Sequence, residues 1–139
     1  MVQGDYDEVV ALWRTTEGVG LSEGDDQAGI EQYLRRNPGL CFVAHDSTGK
    51  LIGAVLCGHD GRRGYMYHLA VAQNARNQGL GRKLVESCLT ALRLAGIQKC
   101  TIFVFAHNAE GKKFWHKLDW KERADLQPMQ VSISTAPPK

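Results

Sequence analysis

The chain has 139 residues, 43% of them hydrophobic and 23% charged, with a formal net charge of +2. That length supports one compact domain with one core and is too short for two ordinary ones. The longest basic runs are the pairs Arg62-Arg63, Arg82-Lys83 and Lys112-Lys113, so nothing points to a nucleic-acid partner, and no stretch is apolar enough to span a bilayer.

The N-terminal stretch Met1 to Glu8 is polar and acidic and does not read as a signal peptide. Asp5, followed three residues later by Glu8, predicts the start of a helix with Val9, Val10, Leu12 and Trp13 on its apolar side. Gly18 to Gly24 interrupts it. Asp25 or Asp26 then caps a second helix that turns Ile30, Tyr33 and Leu34 inward and stops at Asn37-Pro38-Gly39.

Three strand-like runs follow, Leu40 to His45, Leu51 to His59 and Tyr65 to Ala72. Their connectors, Asp46 to Lys50 and Asp60 to Gly64, are short and rich in turn formers, which predicts an antiparallel meander. From Leu80 to Ala95, Leu80, Leu84, Cys88 and Leu92 recur at helical spacing, and Gly96 is placed to end the helix in a left-handed cap. Thr101 to Ala106 reads as an apolar strand and Asn108 to Leu118 as a helix. Weaker strands are predicted near Trp120 to Leu126 and Met129 to Ser134, with a frayed tail over about 135–139. The long helix between two strands makes a crossover, so the third and fourth strands should be parallel neighbours in an α/β fold with a mixed sheet.

The four cysteines, Cys41, Cys57, Cys88 and Cys100, form no CxxC pair and sit among apolar residues. They read as reduced, buried thiols of a cytoplasmic protein, with no metal site.

The junction between the third strand and the long helix carries the chemistry. Arg76-x-x-Gly79-x-Gly81 opens a helix directly after a strand. The first amides of a helix have no partner within it, and the helix dipole makes that end positive. Glycines there let a phosphate approach the backbone, and Arg82 and Lys83 add charge. A P-loop would need GxxxxGK[ST], and a Rossmann turn would need glycine where Leu84 stands. A different pyrophosphate binder remains.

These residues resemble the GNAT superfamily of N-acetyltransferases. Arg76 to Gly81 matches its [Q/R]-x-x-G-x-[G/A] signature, Tyr67 to Val71 looks like the family's fourth strand, and Asn108 to Trp120 is similar to its Asn-x-x-Ala-x-x-Phe-Tyr-x-x-x-Gly-Phe segment. The resemblance covers roughly Leu40 to Trp120. It implies acetyl-coenzyme A as co-substrate, no metal, and a sheet splayed between the family's fourth and fifth strands. In that family the backbone of Leu69, Ala70 and Val71 would pair with the pantetheine arm. The amides of Asn77, Gln78, Gly79, Leu80, Gly81, Arg82 and Lys83 would cradle the pyrophosphate beside Arg76. Asn108 would bond the pantetheine, Phe114 and Trp115 would line the thiol, and the Leu69 amide would polarise the carbonyl. Phe114 also reads as core, and Trp115 suits either role.

The chain departs from that pattern in several places. Trp115 stands where many members carry the tyrosine that protonates the leaving thiolate, and indole is no practical acid. Either the thiolate leaves stabilised by hydrogen bonds, or Tyr65 or Tyr67 fills the place. A carboxylate or histidine on the fourth strand serves as base in the family. His68 suits that chemistry, but strict alternation puts Tyr65 and Tyr67 on the face of Leu69 and Val71, with Met66, His68 and Ala70 opposite. On that reading His68 is a packed core residue unless a strand bulge intervenes. Tyr65 and Tyr67, with ordinary pKa values of about 10, would order water or wall the pocket. Glu17 would attract the amine or simply be solvated, and Glu23 has the same two readings. Gly111 replaces the usual alanine, Asp119 a common glycine, and the residues before Asp5 are too few for much of the family's first strand.

The expected acceptor is a small-molecule amine or a peptide, with an acyl-coenzyme A sensor as the rival. The expected assembly is a monomer or a homodimer, one that the closing strand near Met129 to Ile133 could join.

Overall fold

The computed structural model describes residues 1–133. The elements are α1 (Tyr6–Arg14), α2 (Gln27–Arg36), β1 (Phe42–His45), β2 (Leu51–His59), β3 (Gly64–Val71), α3 (Leu80–Leu94), β4 (Cys100–Thr101) and α4 (Ala109–Lys117). Short 3-10 turns precede α1 at Gln3–Asp5 and follow β3 at Gln73–Ala75. The sheet order is β1-β2-β3-β4. The first three strands are antiparallel, and β4 runs parallel to β3 as the crossover requires.

The two meander turns are each organised by one carboxylate. Asp46 Oδ1 accepts the amides of Thr48 and Lys50 at 2.8 and 3.0 Å, and Asp60 Oδ1 accepts those of Arg62 and Arg63, both at 2.8 Å.

A core lies on each side of the sheet. On one side α1 contributes Val9, Val10, Leu12 and Trp13, α2 contributes Ile30, and the sheet contributes Ala54, Leu56 and Ala70. On the other, Leu84, Val85, Cys88 and Leu92 of α3 pack on Val55, Cys57 and Met66. Strand β2 is covered on both faces, which is why its sequence is apolar almost throughout.

The C-terminal cap of α3 forms as the sequence predicts. Gly96 takes φ +81°, and the Ile97 amide reaches back to the Leu92 carbonyl at 3.0 Å. Asp119 adopts φ +67° after α4, and Trp120 N–H bonds the Trp115 carbonyl at 3.0 Å, so aspartate fills the glycine's place without disturbing the turn.

Four expectations are corrected. Asp5 does not cap α1: its carboxylate accepts the Val2 amide at 2.8 Å and holds the preceding 3-10 turn, and Glu8 Oε2 instead accepts the Leu51 amide at 3.4 Å. The strand expected over Thr101 to Ala106 pairs only at Cys100–Thr101, because the chain then leaves β3. No strand forms at Trp120 to Leu126, where Arg123 and Asp125 close a turn through two 2.9 Å bonds. Nor do residues 129–133 form one: with β4 departing after Thr101 they have no ladder to join, and Met129, Val131 and Ile133 stand 93%, 84% and 86% exposed. Ser134, the end of that expected strand, and the tail over 135–139 lie outside the described residues.

Candidate active site

The turn into α3 is built from two left-handed residues, Asn77 at φ +63° and Gly79 at φ +79°. Gly79 has open space where a Cβ would stand, so its glycine answers the backbone conformation. Gly81 answers packing: a Cβ there would sit 3.1 Å from the Phe114 ring. The two glycines thus have different causes, and only the first matches the expected open approach. Lys83 is the first amide to find a carbonyl, that of Gly79 at 3.1 Å. The amides of Gln78 to Arg82 have no acceptor among the described residues. The result is a row of unpaired N–H donors at the positive end of a 15-residue helix. Arg76 turns back, its Nε donating to the Val71 carbonyl at 3.1 Å, which ties the turn to the end of β3. Arg82 pairs with Glu86 at 3.3 Å in solvent, a contact of little energetic weight.

Beside this turn the sheet opens. β3 and β4 pair only at Gly64–Cys100 and Tyr65–Thr101. From there Met66 to Val71 and Ile102 to Ala106 separate into a cleft. Beside it the rings of Tyr65, Tyr67 and Phe103 lie 6.4 Å apart in every pair, with interplanar angles of 18°, 6° and 23°. A stacked column would place its outer rings twice as far apart as neighbours, so the three form a side-by-side wall. Burial, with smaller contributions from Tyr65 and Cys100, pushes the Tyr67 hydroxyl above its ordinary pKa, so it is a neutral hydrogen-bond donor at physiological pH and not a base.

The loop between α1 and α2 crosses the far end. Gly18, at φ +90°, lies against Asn108, where a Cβ would meet Nδ2 at 2.7 Å, and Gly20 lies against the Phe105 ring. Asn108 caps α4, its Oδ1 accepting the Gly111 amide at 2.9 Å. That closeness explains glycine at 111: a Cβ there would run into the Asn108 carboxamide. Trp115 packs edge-on against Phe114 and Trp120, centroids 5.1 and 4.8 Å away, and joins the α3-side core at its rim. Glu17 and Glu23 are exposed and make no hydrogen bond or ion pair among the described residues.

Strand β3 holds the largest departure from the expected geometry. Its register with β2 slips between Ala54–Ala70 and Leu56–Tyr67, and His68 sits at φ +55°. This is a β-bulge, which puts Tyr67 and His68 consecutively on one face. The assumed alternation is therefore overturned. Leu69 and Val71 join Met66 in the core under α3, while Tyr65 and Tyr67 face α2, with Tyr67 edge-on to Tyr33 at 6.5 Å. His68 turns to α1 and meets the ring of Trp13 edge-on at 4.9 Å. Its Nε2 lies 3.0 Å from Asp25 Oδ1, with the two side chains 17% and 13% exposed. Asp26, not Asp25, caps α2 by accepting the Gly29 amide at 2.9 Å. Residue chemistry singles out His68, but strict alternation sends it into the core, and nothing local joins it to Asp25. One signal was present: histidine, like asparagine and aspartate, tolerates the left-handed region better than most residues, so a histidine within a strand marks a possible bulge.

A mixed sheet that parts beyond Tyr65 and Thr101, beside a helix that begins with unpaired amides, marks the class of fold. The family model for the acetyltransferase (GNAT) family matches residues 6–120. The chain belongs to that family and is an acetyltransferase. An acetyltransferase of Yersinia enterocolitica is 32% identical over 119 residues, covering 86% of this chain and 83% of the relative. Among solved structures, Ard1 from Thermoplasma volcanium aligns with a TM-score of 0.77 at 20% identity, covering 89% of this chain and 81% of the other. Rv2747 from Mycobacterium tuberculosis, solved in complex with CoA, aligns at 0.70 and 17% identity over 94% and 72%. Among the described residues no helix is long and apolar enough to cross a membrane, and no three His, Cys, Asp or Glu side chains gather as a metal site.

Proposed function

We propose that this chain moves an acetyl group from acetyl-coenzyme A to a primary amine, with both reactants held in the β3–β4 cleft. One observation carries the reading: β3 loses its β4 partner beyond Tyr65 and Thr101, and the same strand, past its end at Val71, runs into the turn whose amides from Gln78 to Arg82 are unpaired. A pyrophosphate on those amides and an extended arm beside Leu69, Ala70 and Val71 fit one elongated ligand. Asn108 Oδ1 accepts the Gly111 amide, which leaves Nδ2 as the donor that would meet that arm. Phe114 and Trp115 would flank its thiol end.

The amine nitrogen attacks the thioester carbonyl, the Leu69 amide stabilises the oxygen as charge develops there, and the C–S bond breaks. Side-by-side binding supplies much of the rate. Trp115 carries no hydroxyl, so the departing sulfur takes a hydrogen bond from Tyr67 or Tyr65, or a proton from water. Glu17, exposed on the loop over the cleft, would draw in a cationic acceptor. We take residues 1–139 as one such domain, since both cores share a single sheet. All four cysteines are free thiols, as suits the cytoplasm.

The test is release of coenzyme A from acetyl-coenzyme A over a broad panel of amines, amino acids and peptides. Turnover with at least one acceptor supports the reading. Trp115 in place of a hydroxyl residue favours one alternative, a non-catalytic acyl-coenzyme A sensor, which would bind acetyl-coenzyme A and turn over nothing. Turnover restricted to peptides would make the acceptor a polypeptide.

A further inference from the structure

His68 is held in a way that packing alone does not require. A residue at φ +55° inside a strand is strained unless it is glycine, and such strain gathers at working sites. A purely structural bulge would be relieved by glycine there. The surroundings instead fix this side chain. Trp13 Nε1 donates to the His68 carbonyl at 2.8 Å, and its ring meets the imidazole edge-on. Asp25 Oδ1 takes Nε2 at 3.0 Å, while Asp25 Oδ2 accepts the Ser22 amide at 2.9 Å and the Asp25 carbonyl accepts the Tyr6 hydroxyl at 3.0 Å. The aspartate is thus gripped from three sides.

A carboxylate only accepts, so the hydrogen of the neutral imidazole is on Nε2 and the lone pair is on Nδ1. Nδ1 has no partner among the described residues, yet none of their side-chain nitrogens or oxygens is buried without one. Nδ1 therefore keeps some exposure, and the bulge sets the ring on the face of the sheet that carries Tyr67. The polar groups that meet His68 are the Asp25 carboxylate and the Trp13 indole; Tyr6 of α1 bonds Asp25 in turn, and Tyr67, the neighbouring residue on the strand, packs against Tyr33 of α2 and Tyr65. None is a cation that would oppose a positive imidazolium.

We infer that His68 is the catalytic base of acetyl transfer, receiving the amine proton on Nδ1, and that Asp25 is the positioning residue that fixes its tautomer and stabilises the imidazolium. As the N–C bond forms and the C–S bond breaks, one N–H proton passes to Nδ1 and the C–S electron pair leaves with the thiolate. The proton then returns to solvent or to sulfur. This inference rests on the acetyl-transfer reading and adds to it the group that accepts the proton.

The test uses the full chain as wild type, His68→Asn and Asp25→Asn. Asparagine tolerates the left-handed backbone and cannot serve as a base, so the first variant removes the chemistry and keeps the bulge. Acetyl-coenzyme A affinity, measured by calorimetry, should be unchanged in all three, which certifies the fold and the cofactor side. Coenzyme A release with the fastest amine of the panel is then followed from pH 6 to 9. His68→Asn should lose about 100-fold at pH 7, and its residual rate should climb about tenfold per pH unit as hydroxide replaces the imidazole. Asp25→Asn should lose at least about tenfold. A His68→Asn enzyme with the wild-type rate and pH profile overturns the inference while leaving acetyl transfer intact. A wild type that binds acetyl-coenzyme A and turns over no amine instead overturns acetyl transfer and the inference with it.

Discussion

Trp13 donates its indole N–H to the carbonyl oxygen of His68 at 2.8 Å, so the first helix of the chain fastens the bulge in β3. Trp13 is fully buried, and nothing but another protein group can satisfy that carbonyl if the indole is removed. Trp13→Phe should therefore destabilise the fold by about 1–3 kcal/mol from the orphaned carbonyl, with a further loss from the smaller ring. Urea denaturation followed by circular dichroism checks this. The midpoint should fall with an unchanged slope.

Gly18 sits at φ +90° with Asn108 Nδ2 where its Cβ would be. Gly18→Ala should cost about 1–3 kcal/mol in backbone strain and push the Asn108 carboxamide aside. Thermal denaturation should show the first effect, and calorimetry should show weaker acetyl-coenzyme A binding from the second.

Asp25 and Asp26 are neighbours with separable roles. Asp26→Ala removes the N-cap of α2 and should cost about 1 kcal/mol of stability, leaving coenzyme A release unchanged. Parallel melting curves and rate measurements on the Asp26→Ala and Asp25→Asn variants check the contrast.

Much of this was legible in the sequence because it depends on local rules. The boundaries of β2 and α3, the Gly96 cap and the parallel crossover all follow from periodicity and turn chemistry. The left-handed glycine and the unpaired amides at the start of α3 were legible for the same reason, since residues 76–83 form one continuous motif. His68 was legible as a residue suited to base chemistry, but its placement and its partner were not. A bulge is a mismatch between two strands, and the His68–Asp25 contact joins residues 43 apart, so neither has a local periodic signature. The closing strands failed for a related reason. Met129, Val131 and Ile133 alternate as a strand should, but alternation cannot show that β4 leaves the ladder at Thr101.

The buried thiols give a pH prediction. Burial pushes Cys41 from its ordinary 9.0 up to about 11 and Cys100 up to about 12. Burial likewise raises Tyr33 well above its ordinary 10.0. In the unfolded chain these groups ionise first, so above pH 9 the unfolded state holds fewer protons than the folded one, and stability falls as pH rises. Their stabilisation should be complete below about pH 9 and lost as pH passes through 11 to 12. Urea midpoints measured from pH 7 to 11 should be level at first and then decline. A midpoint that rises above pH 9 would contradict the burial of these groups.

The proposed reaction requires acetyl-coenzyme A to lie along β3 with its phosphates on the turn into α3. The most direct measurement is a backbone-assigned nitrogen–proton NMR titration with acetyl-coenzyme A. The amides of Gln78 to Arg82 and of Leu69 to Val71 should shift together, with one saturation curve. Saturable binding that leaves both groups unmoved, or no binding at all, would contradict it.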